Sequence, residues 1–147
     1  MSSSSPSHSV KVFNRRGFLH RIMSELAGGG ALISFEGRLS RCHFAKDAVV
    51  ETPADAGLLR RSTDWPPRDF IVLRLEPETI EAIFKQVDRW RVRLVHVQIE
   101  KDGALQLVAR EYFTGWVFTG PQISIGLLNA LQTARIIYSI EVSQDLA

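Results

Sequence analysis

Apolar and polar residues alternate most regularly between Val92 and Phe113. Before Lys101-Asp102-Gly103, Val95, Val97 and Ile99 alternate with His96, Gln98 and Glu100; after it, Leu105, Leu107 and Ala109 alternate with Gln106, Val108 and Arg110. A period of two marks half-buried strands, and Asp-Gly marks the turn between them. The register follows from asking for one wholly apolar face. A two-residue Asp102-Gly103 turn would pair Ile99 with Gln106 and mix the faces. A three-residue loop, with Gly103 as a left-handed bulge, pairs Ile99 with Leu105, Val97 with Leu107 and Val95 with Ala109, and sets Arg93 opposite Glu111.

The rest of the chain falls into shorter patterns. Val10 and Val12 suit a short edge strand. Asn14 is a good helix cap, and Phe13 before it can staple onto Phe18. Phe18, Leu19, Ile22, Met23 and Leu26 then form one helical stripe that ends at Gly28-Gly29-Gly30. Ala31 to Glu36 and Leu39 to Phe44 read as a hairpin turning at Gly37. Thr52-Pro53 with Asp55 opens a short helix running to Arg61. Phe70 to Leu75 is nearly all apolar, as in a strand covered on both faces. Pro77 opens a helix carrying Ile80, Ile83, Phe84 and Val87 inward, with Glu81 and Lys85 as an outer ion pair. Gly115 to Phe118 is a short strand. Pro121 starts a last helix, with Ile123, Leu127, Leu128 and Leu131 inward. Arg135 to Val142 is a final strand with Ile136, Tyr138, Ile140 and Val142 on one face.

This order predicts an α+β fold: a single domain over residues 10–147, with a largely antiparallel sheet of about six or seven strands and about four helices packed on it. The passage from Phe70 through Val92 fits a right-handed parallel crossover. The Ser-rich segment Met1 to Ser9 is expected to be disordered.

Composition narrows the function classes without choosing one. The 147 residues are 45% hydrophobic and 23% charged, ordinary values for a globular chain. A single cysteine, Cys42, cannot form an internal disulfide, which favours a reducing compartment, and no apolar run approaches the ~20 residues of a membrane span. The expectation is a cytoplasmic protein that does not enter membranes; oligomeric state is left open. Net charge is +2, but residues 1–74 carry 11 Lys/Arg against 7 Asp/Glu while residues 75–147 carry 7 against 9. Basic excess in the first half raises nucleic acid as a partner, through Arg15, Arg16, Arg21, Arg60, Arg61 and Arg68.

No chemistry-bearing motif stands out. The triple glycine precedes a strand, whereas a phosphate cradle opens a helix. His8, His20, His43 and His96 lack metal-ligand spacing, and no cofactor is expected. Cys42 and His43 are neighbours in a predicted strand and would point apart, and Cys42 with His96 reads better as a core thiol and a hairpin histidine. Glu36, Glu100 and Glu111 lie at predicted strand ends, where carboxylates can work as acid and base. Asn14-Arg15-Arg16-Gly17-Phe18-Leu19-His20 resembles a twin-arginine export motif, but His20, Arg21, Ser24 and Glu25 interrupt the apolar segment such a signal needs.

One stretch favours recognition. Trp65 lies between Asp64 and Pro66-Pro67, flanked by Arg60, Arg61 and Arg68, and Trp and Arg are the types most enriched at binding hot spots. Partner binding is therefore assigned to Arg60, Arg61, Trp65 and Arg68, with no catalytic or metal-binding residue named. The expected function is a non-catalytic module that binds a protein partner, as an inhibitor, immunity protein or adaptor would. The alternatives are nucleic-acid binding and a small enzyme whose site converges only in three dimensions. Trp65 itself has a second reading, as a plug folded back into the core.

Overall fold

The computed structural model describes residues 6–50, 58–89 and 92–143. Its strands are β1 (His8–Val12), β2 (Leu32–Arg38), β3 (Asp69–Arg74), β4 (Arg93–Lys101), β5 (Ala104–Ala109), β6 (Trp116–Thr119) and β7 (Ile137–Val142). Its helices are α1 (Arg15–Leu26), α2 (Ile80–Val87) and α3 (Ile125–Thr133). The seven strands form one sheet in the order β3-β2-β4-β5-β6-β1-β7, and every neighbouring pair is antiparallel. This is the α+β architecture expected, with three α-helices among the described residues where about four were expected. The predicted helix from Thr52 lies partly outside the described residues, and Leu59 to Arg61 are not helical.

Helix α1 forms for the reasons its sequence suggests. The Asn14 side chain accepts from the Gly17 amide at 3.0 Å, and Phe18, Leu19, Ile22, Met23 and Leu26 are all buried. Phe13 does not staple onto Phe18; it is 74% exposed. Arg16 grips Asp88 and His20 contacts Glu81 at 2.7 Å, which ties α1 to α2; Glu81 turns to His20 and not to Lys85. The three helices cover one face of the sheet, where Val10, Ile33, Phe35, Val97, Ile99, Leu107, Ala109 and Val117 meet them in the main core. Strand β1 is interior, between β6 and β7, and it begins at His8, inside the segment expected to be disordered.

Other expectations are corrected. Strand β2 runs straight through Gly37, so no hairpin turns there, and residues 39–44 are not a strand. Glycine is needed at 37 because an added Cβ would collide with the Arg93 carbonyl of β4. Strands β3 and β4 do run parallel, joined through α2, but they are not neighbours: β2 lies between them, antiparallel to both. In β7, Lys11 faces Ser139 and Val12 faces Ile137, so Tyr138 bulges out and Ile137 takes the core position.

The central hairpin departs most instructively. It uses the two-residue turn: Asp102 and Gly103 both have positive φ, 54° and 75°, and Lys101 pairs with Ala104. That is the left-handed pair a tight hairpin turn demands. The mixing of faces is cured by a bulge. Glu100 pairs with Leu105 and Ile99 with Leu107, so Gln106 is the extra residue and the apolar partners of Ile99 and Val97 are Leu107 and Ala109. Gln98 faces Val108, and Arg93 does not face Glu111.

Candidate functional site

Among the described residues the second face of the sheet carries no α-helix; the segment from Leu58 to Arg68 covers part of it. Leu59 enters a small second core with Val72, against Leu32, Phe70 and Leu105. Polar groups on the sheet fix the rest of the segment. Gln98 Nε2 donates to the Arg60 carbonyl at 2.9 Å, and the Leu58 amide donates to Glu100 Oε1 at 2.9 Å. Glu36, only 2% exposed, accepts twice from one residue: from the Ser62 amide at 2.8 Å and from Ser62 Oγ at 2.5 Å. Burying a carboxylate is costly unless it is hydrogen-bonded, so Glu36 and Ser62 hold each other in place.

His96 stands opposite Glu36 on the neighbouring strand and is 7% exposed. Its Nδ1 faces the Glu111 amide, an obligate donor, at 3.3 Å, which places the ring proton on Nε2; Nε2 then meets Asp64 Oδ2 at 3.4 Å. Asp64 is also held by Arg68 Nη1 at 3.1 Å. Hydrogen bonds from Arg68 and then from His96 hold the Asp64 carboxyl below the ordinary aspartate value. The anchors surround a cavity of about 130 Å³ lined by Glu36, Ser62, His96, Gln98 and Arg110 among others.

These residue types invite a catalytic reading, and the geometry gives them another job. Ser62 Oγ is bonded to Glu36, not to His96, and each carboxylate oxygen of Glu36 is occupied by Ser62. The His96 ring spans the Glu111 turn and Asp64. The network fastens the overlying segment to the sheet. Beyond its last anchor stands Trp65, 87% exposed.

The four residues assigned to partner binding share this segment but differ in surroundings. Arg60 Nη1 donates to the Leu59 carbonyl, Arg61 lies over the Phe70 ring at 5.7 Å, Arg68 pairs with Asp64, and Trp65 is not a core plug. The six arginines named for nucleic acid do not share a face. Arg15, Arg16 and Arg21 belong to α1, on the helical side, where Arg15 lies over Tyr112 and Arg16 is bound to Asp88. Sequence reading missed the anchoring roles of Glu36 and His96. Their signal was weak: in the alternating pattern each reads as an outward polar residue, and it is the segment folded over that face that buries it.

The remaining candidates stay apart. Cys42 lies off the sheet, its thiol directed at the Gln86 carbonyl, while the His43 amide is held by Gln86 Oε1. Burial raises the Cys42 pKa above the ordinary thiol value. Among the described residues no three His, Cys, Asp or Glu side chains are grouped to hold a metal ion, and no helix is long and apolar enough to cross a membrane. Trp90 lies outside the described residues.

Comparison with protein-family models, with curated proteins and with solved structures gives no match. The functional reading therefore rests on the site itself.

Proposed function

We propose that this chain is a non-catalytic binding module that recognises a protein partner through the segment from Arg60 to Arg68, as an inhibitor, immunity protein or adaptor does. The observation that carries the reading is Trp65, 87% exposed at the tip of a segment whose base is pinned to the sheet. A large aromatic left in water is costly unless something covers it, and the protein has an apolar second core a few residues away into which it is not folded. Pinning lowers the ordering cost of association, because Ser62 and Asp64 are already fixed in the free protein. Arg61 and Arg68 flank Trp65 along the chain, and guanidinium groups can meet carboxylates on a partner.

Trp65→Ala tests this. About an eighth of the ring's ~250 Å² is covered, roughly 30 Å², worth ~0.8 kcal/mol of folding at ~25 cal/mol per Å². Binding to a partner captured from the source organism should fall by about 2 kcal/mol or more, while the melting temperature moves by no more than a few degrees. Equal capture by wild type and variant would refute the assignment.

A second reading, enzymatic, rests on the 2.5 Å contact between Ser62 Oγ and Glu36 Oε2. An activated serine would be labelled covalently by a fluorophosphonate probe; a structural clamp, with the Ser62 amide bound to the same carboxylate, would not.

A further inference from the structure

Beside the pinned segment, the same sheet holds an arrangement that anchoring does not explain. Arg38 at the end of β2 is paired directly across the ladder with Arg93 at the start of β4. Like charges directly opposite each other on neighbouring strands destabilise a sheet. Neither guanidinium has a hydrogen bond, ion pair or ring contact among the described residues. Both line a solvent-open cleft of about 290 Å³ that also takes in Arg68, Pro67 and Asp69. Neither acid nearby makes an ion pair with Arg38 or Arg93. Asp64 is engaged by Arg68 and His96, and Asp69 Oδ2 accepts from the Leu39 amide at 2.9 Å.

We propose that Arg38 and Arg93, with Arg68 beside them, form a seat for one compact oxyanion, a carboxylate or a phosphoryl group. Two guanidinium forks that repel each other when empty can both bond the same anion, and the repulsion is then relieved by the ligand. Asp69, which lines the cleft, and Asp64, which pairs with Arg68, limit the spread of the positive potential. That suits a single anionic group and opposes an extended polyphosphate backbone, which needs a continuous basic track. The site is independent of Trp65 and needs no identified partner to be tested.

The experiment is an amide chemical-shift titration of the full chain with inorganic phosphate and, separately, with glutarate, at constant ionic strength set by chloride. Saturable shifts centred on Gly37, Arg38, Asp69 and Arg93 are expected with at least one of them, and which one responds identifies the group the cleft prefers. In Arg93→Gln the apparent affinity should fall roughly ten-fold or more, the loss expected of one charge-assisted hydrogen bond. The ligand-free melting temperature of that variant should be no lower than wild type, because an unpaired like charge has been removed. Absence of saturable shifts with both anions would overturn the proposal. So would shifts of equal affinity in Arg93→Gln, or a clear drop in that variant's melting temperature, which would show that Arg93 serves the fold.

Discussion

Ser62→Ala puts the anchoring of the loop to a quantitative test. The substitution deletes the hydroxyl that donates to Glu36 Oε2 at 2.5 Å and leaves the Ser62 backbone amide on Oε1 at 2.8 Å. Hydrogen bonds to charged groups contribute about 1.5–3 kcal/mol, and here the abandoned acceptor is buried, so the upper half of that range applies. The loss is local. Leu59 stays in the second core and Gln98 still holds the Arg60 carbonyl, so the main core is untouched. Opening of the segment should therefore become roughly 50- to 150-fold more frequent, while global stability changes less. Hydrogen exchange of the Leu58 and Ser62 amides reads this directly, since both donate to carboxylates of the sheet. Tryptic cleavage after Arg60 and Arg61 reads it independently and should accelerate by a similar factor when opening is fast relative to cleavage. Unchanged exchange and cleavage would show that Glu36 does not restrain the segment, and the preorganisation argument would lose its basis.

The lowered pKa of Asp64 has a definite sign. A folded-state value below the unfolded one means that its contribution is present above the ordinary aspartate value and is lost as pH falls through the lowered one. The Asp64 carboxyl carbon, followed by NMR, should titrate below the ordinary value in wild type and move back up in Arg68→Ala; an unmoved midpoint would contradict the arrangement. Cys42, whose pKa burial raises, should react with iodoacetamide more slowly than a free thiol at pH 8, with its onset displaced to higher pH. A chain beginning at Gly29 should lose cooperative unfolding, because it lacks the buried stripe of α1 and also β1, the strand that joins β7 to β6. A cooperative melt of that truncation would mean that the Arg15-Arg16 segment is dispensable, as an export signal is.

Helices were the most legible part of the sequence. The α1 stripe and the inward residues Ile80, Ile83, Val87, Leu127, Leu128 and Leu131 are buried as their spacing implied. A 3.6-residue period is a local property, and Asn14 marks the start of α1; the last helix starts at Ile125 behind a Ser124 cap and not at Pro121 as expected. Strand existence was nearly as legible. Neighbours were not, because pairing is decided by distant residues: nothing local says that β1 inserts between β6 and β7. The candidate site divided in the same way. Trp65, Arg61 and Arg68 could be chosen by residue type and loop position. Ser62 could not, since its importance comes from Glu36, which reaches it only through the fold.

Register failed for one reason, and that reason also built the site. A bulge inserts one residue and reverses the alternation beyond it, so a pattern that is regular on each side hides the change of phase between them. At Gln106 the extra residue swings Leu105 to the second face, where it packs against the small core that seats Leu59. The bulged side chain is polar because it has work to do: Gln106 Oε1 accepts from the Gln122 amide, and the residue is buried. At Val95 the extra residue lies between His96, which faces Glu36, and Leu94, which faces Gly37. Were Val95 paired in turn with Gly37, Arg38 would oppose Leu94; because Val95 is left out of the ladder, Arg38 opposes Arg93 across the cleft. The displaced Val95 carbonyl is taken up by the Tyr112 amide at 2.6 Å, next to the Glu111 amide that orients His96. One irregularity in β4 thus sets the arginine pair and lies beside the histidine that holds Asp64. Deleting Val95 should remove the bulge yet keep Leu94 opposite Gly37 and Arg93 opposite Arg38, so the anion response of the cleft should persist; its loss would show that this pairing alone does not build the seat.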